Sequence, residues 1–127
     1  MAMTTSKEHW MTEPEEHDFP AAHDYLTLVA GEDAANALVA GLKAAPITMR
    51  KAKDLLRASR LPVLPETNFH VAQDLEKVKK GKLLSPVLLV RGNFENGSPL
   101  EIADGYHRIC ASWYLDEDAD IPCLLVR

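Results

Sequence analysis

At 127 residues the chain is long enough for one domain with a hydrophobic core and too short for two. Its composition, 46% apolar and 26% charged residues, is ordinary for a globular protein, and no apolar stretch approaches the roughly 20 residues of a membrane span. These features predict a soluble, cytoplasmic protein that does not enter a membrane. The net charge of −5 is uneven, since residues 43–91 carry eleven Lys and Arg against four acids. Overall acidity nevertheless argues against a dedicated nucleic-acid binder.

The first 19 residues are polar, acidic and without periodicity. This pattern predicts a flexible acidic tail over residues 1–19, followed by a single domain over residues 20–127. Trp10 is the residue of the tail that could dock on the domain.

A helical N-terminal part over residues 21–60 is predicted from apolar residues that recur at helical spacing. The first helix ends at Gly31, Asp33 caps the second, and a third runs over residues 49–59. The residues expected on the buried faces are Tyr25, Leu28, Val29, Ala35, Leu38, Val39, Leu42, Ala52, Leu55 and Leu56.

The second half alternates extended and helical patterns, which predicts an α/β (α+β) fold with a mixed sheet and packed helices. The apolar run Val87–Val90 is typical of a strand covered on both faces. The other expected elements are an extended piece at 61–64, a helix from 71 to Gly81, a turn at 92–97, strands at 100–103 and 121–126, and a helix at 106–115. The predicted core includes Leu88, Val90, Ile102, Ile109 and Leu124.

The residues with the clearest chemistry are Asp104, Gly105, Tyr106, His107 and Arg108, where a predicted strand turns directly into a helix. Gly105 permits a tight turn, and the first N–H groups of a helix have no intrahelical partner, so they can bind an anion. Arg108 and His107 can add donors, and Asp104 can cap the helix, hold a metal or act as a base. A purely structural interpretation remains open, in which Asp104 and Gly105 form an ordinary turn and Arg108 pairs with an acid such as Glu101.

The order of these pieces resembles the ParB/sulfiredoxin-like fold superfamily, over about residues 61–127. The stretches that carry the resemblance are 84–90, 102–111 and 121–126, and small bacterial proteins with the same Asp-Gly-Tyr-His-Arg run are the most similar. The resemblance implies a phosphate- or nucleotide-binding domain that uses Gly105, Tyr106, His107 and Arg108, since related folds bind CTP, ATP or ADP at this turn. It also implies an NTP hydrolase or phosphotransferase that uses a nucleotide with Mg²⁺, with Asp104 as the catalytic carboxylate.

Departures from these relatives limit what the resemblance implies. Tyr106 stands where sulfiredoxins have a nucleophilic cysteine, which argues against sulfinic-acid reductase activity. The Tyr-His-Arg turn differs from the Glu-Arg-Arg turn of ParB proteins, and without a following helix-turn-helix domain we do not expect DNA binding. Cys110 and Cys123 are expected to be buried thiols. The alternative function is a non-catalytic regulatory or protein-interaction module that keeps the fold, and a homodimer is compatible with either function.

Other candidate sites have weaker patterns. The spacing of the histidines predicts no metal site, and we expect His70 to lie at the surface or to cap its helix. Lys77 and Lys80 lie on one helix face that could reach the phosphate turn, although a solvated basic face is the simpler interpretation.

Overall fold

The computed structural model describes residues 9–127. Their elements, in chain order, are α1 (Asp18–Ala30), α2 (Glu32–Ala44), β1 (Ile47–Lys51), α3 (Ala52–Ser59), α4 (Phe69–Lys79), β2 (Val87–Val90), β3 (Glu101–Asp104), α5 (Tyr106–Leu115) and β4 (Asp120–Val126). The predicted mixed α/β fold is therefore confirmed. Within these residues, no helix combines the length and the apolarity needed to cross a membrane.

The four strands form one sheet in the order β1-β4-β2-β3. β2 and β4 run parallel, with Val87 opposite Cys123, whereas the two outer strands pair antiparallel with their neighbours. The register of β2 and β3 shifts between Leu88 and Leu89, so Leu88 lies opposite Asp104. This pairing brings the start of β2 next to the end of β3, which positions the turn that follows Asp104.

Helices cover both faces of the sheet, and β2 shows why. Side chains alternate across a strand. Val87 and Leu89 accordingly belong to a core cluster shared with α3, α4 and α5, whereas Leu88 belongs to a second cluster shared with α1 and α2. A continuous apolar run satisfies both faces, as the sequence predicted. The predicted core residues Leu88, Ile102, Ile109 and Leu124 are buried, and Val90 is partly buried.

The third predicted helix is wrong over its first residues, because 47–51 form β1. This strand pairs with β4 from Ile47 opposite Leu124 to Lys51 opposite Asp120. The hydrogen bonds of that pairing outweigh a local pattern that favours a helix. From Ala52 onward the helix forms as predicted, with Leu55 and Leu56 buried.

The buried face of α1 also differs from the prediction. Leu28 is 83% exposed and Val29 51% exposed, whereas Ala22 and Leu26 are buried. Small Ala22 lets α1 lie close to α2 and β3, and Leu26, one turn later, shares its face. The stripe with the larger apolar side chains therefore faces away from the core.

The beginning of the domain lies earlier than the predicted boundary at residue 20, since α1 starts at Asp18. Pro20 fits in the first turn of α1, where a backbone N–H has no intrahelical partner. Trp10 does dock on the domain, as the sequence suggested: it is 5% exposed, and its neighbours His9 and Met11 form backbone hydrogen bonds with Leu84. Residues 1–8 of the predicted tail lie outside the described residues.

One local expectation, the cap of α2, was wrong. Asp33 does not cap α2, because Gly31 occupies the N-cap position. Residues 61–64 join no strand and instead cover α5, where the Leu64 carbonyl accepts a hydrogen bond from the Tyr114 hydroxyl at 2.8 Å. Pro62 lacks the N–H that a strand in the sheet would have to donate.

Candidate functional site

The strand–turn–helix prediction at residues 104–106 is confirmed: β3 ends at Asp104, and α5 begins at Tyr106. Gly105 links them with φ of 109°, in the left-handed region. A Cβ at this position would lie 2.5 Å from Val87 Cγ1 and 3.0 Å from Arg108 Nη2. Glycine is therefore required by close packing against β2 as well as by the backbone angle. Space on this side of Gly105 is filled by the protein itself.

The first turn of α5 has no side-chain cap within the described residues. The neighbouring helix α4 is different, because the Asn68 side chain accepts hydrogen bonds from the N–H groups of His70 and Val71 at 3.0 and 3.1 Å. Uncapped N–H groups at a helix N-terminus attract anions, and the helix dipole adds to the attraction. The start of α5 is therefore the better anion site of the two.

Arg108 is held against the turn by two acceptors. Its Nη2 donates to Asp104 Oδ2 at 2.8 Å and to the Pro86 carbonyl oxygen at 3.3 Å. Its Nε is buried and has no hydrogen-bond partner among the described residues. The acid that pairs with Arg108 is therefore Asp104 and not Glu101, which accepts a hydrogen bond from the Tyr25 hydroxyl.

Asp104 also lies against a second carboxylate, that of Asp18 at the start of α1. Burial raises the pKa of Asp104, Arg108 opposes this shift, and the Asp18 carboxylate adds to it. Asp18 is 2% exposed and accepts the backbone N–H of Glu15 at 3.0 Å. The predicted catalytic carboxylate is therefore part of a partly buried network that joins α1 to α5.

Helix α4 places two further groups beside the turn that the sequence did not assign to it. The imidazole rings of His70 and His107 lie 4.7 Å apart between centroids. Asp74, one turn after His70, is 8% exposed and faces Lys77, Arg108 and both histidines. The sequence did contain a signal for Asp74. Its carboxylate falls on the apolar stripe formed by Val71, Leu75 and Val78, whereas the other polar residues of the helix are exposed.

The charges of this cluster shift the pKa values of its members. Burial raises the pKa of Asp74, an effect that Lys77, Arg108, His107 and His70 oppose. Burial lowers the pKa of His107, as do His70 and Arg108, whereas Asp74 raises it. Folding therefore favours a neutral imidazole at His107 and a protonated carboxyl at Asp74, the less charged form of each.

Four aromatic rings run side by side past the turn. The centroid distances are 5.3 Å from Phe69 to His70, 4.7 Å from His70 to His107, and 5.8 Å from His107 to Tyr106. The Tyr106 hydroxyl donates to the Pro62 carbonyl oxygen, so this predicted phosphate ligand already has an internal partner. The outermost ring, Phe69, is 71% exposed.

Both cysteines lie in the hydrophobic core, as residues with a packing role do. Cys110 and Cys123 are buried free thiols. Burial raises the pKa of both, that of Cys123 to about 12. A nucleophilic cysteine needs the opposite shift, because the thiolate is the reactive form.

At the start of α1, next to Asp104, one group of the described residues has potential metal-ligand atoms close together. Glu15, His17 and Asp18 each offer an atom within 4.8 Å of the others, and His17 Nε2 lies 3.5 Å from Asp18 Oδ1. Glu15 and His17 are exposed. Exposed groups of this kind are common at the N-terminus of a helix, so this arrangement by itself assigns no ion.

The largest of the described cavities lies away from the turn, at the carboxyl ends of β2 and β4, and has a volume of about 1240 Å³. Small side chains of α2 and the exposed Phe94 line it. Because β3 runs antiparallel to β2, this cavity and the turn occupy opposite ends of the strands. In comparisons with known proteins, no family model matches this chain, and no curated protein or solved structure matches it.

Proposed function

We propose that this protein binds the phosphate group of a nucleotide, or of another phosphorylated small molecule, at the first turn of α5. The observation that carries the proposal is the uncapped start of α5, with Gly105 as its N-cap. Anions bind favourably where free N–H groups and the positive end of a helix dipole coincide. The resemblance of residues 102–111 to nucleotide-binding turns is in keeping with this function.

Arg108 supplies the charge that a phosphate needs at this position. Both of its described hydrogen bonds come from Nη2 and its Nε is buried, which leaves the Nη1 donors for a ligand. Asp104 holds the group in place through a single charge-assisted hydrogen bond at 2.8 Å. His107 adds a further donor from the same turn.

A hydrolase or phosphotransferase activity extends this proposal. Such a reaction needs a carboxylate that accepts the proton of the attacking hydroxyl or water, and charge to neutralise the phosphate. Asp104 is engaged by Arg108, so its role is to position the guanidinium group. Asp74 is the candidate to accept the proton, because it forms no ion pair among the described residues and burial raises its pKa, as burial also does for Asp104. Both carboxylates are oxygen donors of the kind that fits Mg²⁺.

A non-catalytic regulatory or protein-interaction module is the second candidate. It is favoured by one observation: Arg108 already has two internal partners, Asp104 and the Pro86 carbonyl. A purely structural arginine would look the same. The two candidate functions predict different effects of replacing Arg108: a phosphate site loses ligand affinity, whereas a structural arginine affects only stability.

The first test is a thermal-shift panel of nucleotides with and without Mg²⁺, because a ligand that binds the folded state raises its apparent stability. Calorimetry with the best ligand then compares wild type with Arg108→Ala. We expect a loss of about 1.5–3 kcal/mol in binding free energy, the scale of hydrogen bonds to a charged group. Arg108→Lys should recover only part of it, since an ammonium group cannot form the planar fork.

Arg57→Ala is the matched control, because Arg57 is exposed and, within residues 9–127, its ion pair is with Asp54 on its own helix. We expect this variant to bind as wild type does. Equal affinity in wild type and Arg108→Ala, combined with reduced stability of Arg108→Ala, would contradict the phosphate site and favour the structural role.

A further inference from the structure

Four of the eleven Lys and Arg residues in the region 43–91 lie on α4 or just after it, at positions 77, 79, 80 and 82, and all four are exposed. A shallow cavity of about 420 Å³ lies there, on the side away from Asp74. Its lining combines one aromatic ring, Phe69, with the lysines Lys77, Lys80 and Lys82. We call this surface the α4 cavity. It adjoins the residues around the phosphate turn, because Phe69 contacts His70 and Lys77 acts on Asp74, but none of residues 104–108 lines it.

The charge in the α4 cavity is only partly neutralised, because Glu76 is the single acid in its lining, against three lysines. Lys77 and Lys82 form no ion pair with any of the described residues. Lys80 pairs with Glu76 at 3.7 Å, but both side chains are more than half exposed, so the pair contributes little. The cavity therefore presents a positive surface on a chain whose net charge is −5.

Phe69 provides the aromatic part of the α4 cavity. Its ring is 71% exposed at the N-terminal end of α4, and it contacts His70 edge-on at 5.3 Å. A large apolar ring left in water beside three lysines can stack a planar group while the lysines bind phosphates. Single-stranded nucleic acids are bound in this way, by aromatic rings that stack bases and by cations that follow the backbone.

We propose that the α4 cavity binds single-stranded nucleic acid, with one base stacked on Phe69 and the adjoining phosphates on Lys77, Lys80 and Lys82. A duplex keeps its bases stacked on one another and would leave Phe69 without a partner. The inference does not rest on the proposed phosphate site at α5, and it requires no helix-turn-helix domain.

The test is fluorescence anisotropy with a fluorescein-labelled oligouridine of about 12 nucleotides. Phe69→Ala should weaken binding about tenfold, the scale of one base–aromatic stack. For wild type we expect log K to fall with log salt with a slope of about −2, since each of three phosphate contacts contributes about 0.7. The combined variant Lys77→Gln, Lys80→Gln, Lys82→Gln should bring this slope close to zero. All four side chains are exposed, so melting temperatures should not change.

Two matched controls distinguish specific binding at the α4 cavity from nonspecific electrostatic or hydrophobic binding. Phe94→Ala removes a fully exposed ring at the opposite end of the sheet and should leave affinity unchanged. The combined variant Lys43→Gln, Lys51→Gln, Lys53→Gln changes the net charge equally and should keep the slope. The proposal is overturned by no binding to wild type at about 50 mM salt, by controls that weaken binding as much, or by equal competition from an unlabelled duplex.

Discussion

Helices α4 and α5 begin side by side, yet their first turns are built differently. The Asn68 side chain occupies the N–H groups at the start of α4, whereas α5 follows a left-handed glycine and has no side-chain cap among the described residues. A capped helix gains stability and loses its capacity to bind an anion, because the same donors serve both purposes. The α5 turn therefore lacks the stability that a side-chain cap provides, at the position where the charged side chains converge.

The largest expected effect is at the glycine that makes this turn. Gly105→Ala should lower the free energy of unfolding by about 2–5 kcal/mol, because a strained left-handed residue and an overpacked Cβ add their costs. Gly81→Ala, just after α4, is the control: Gly81 has φ of 78°, and a Cβ there would have nothing within 4 Å. Its cost should be about 1–2 kcal/mol, from backbone strain alone. Urea unfolding measures both, and equal costs would mean that Val87 does not restrict position 105.

A smaller effect is expected at the cap of α4. Asn68→Ala should reduce the free energy of unfolding by about 1 kcal/mol, because two N–H groups lose their acceptor. The same variant should bind a phosphorylated ligand as wild type does, since the binding donors lie on α5. Chemical denaturation and calorimetry check the two halves of this expectation. A loss of ligand affinity larger than the loss of stability would indicate that the two helix starts act together.

The smallest expected effect is a change in pH dependence at Asp74. Burial raises the pKa of Asp74 from 3.8, so the folded state holds the proton more tightly than the unfolded chain does. The free energy of unfolding therefore falls as pH rises from about 4 through the folded pKa. Asp74→Asn removes this fall, so the variant should gain stability relative to wild type as pH rises and should match it most closely at about pH 4 or below. Thermal melts across this range provide the measurement. A constant difference at every pH would contradict the raised pKa.

His107, in the same cluster, makes stability depend on pH in the opposite direction. Its pKa is lowered from 6.5 by burial, so the unfolded chain takes up the proton first, and stability is lost as pH falls below about 6.5. The Asp74→Asn melts should therefore still show a decline below this pH. A variant that loses that decline as well would mean that Asp74 and His107 titrate as one coupled unit.

The sequence alone determined the elements whose signals are local. The bounds of α5, residues 106–115, follow from Asp104 and Gly105 before a helical apolar pattern, and β2 follows from an apolar run too short for a helix. The strand–turn–helix arrangement of the candidate site could therefore be predicted with its glycine in the correct place, because the turn and the first helical residues are neighbours in the chain.

Only the tertiary structure decided what depends on distant partners. β1 forms because Ile47 pairs with Leu124, and α1 buries Ala22 and Leu26 because a close approach to β3 favours the side with the small residue. Asp74 and His70 join the candidate site through the packing of α4 on α5. Local propensity amounts to a few tenths of a kcal/mol per residue, so the hydrogen bonds of a sheet and the burial of a helix face override it wherever the two disagree.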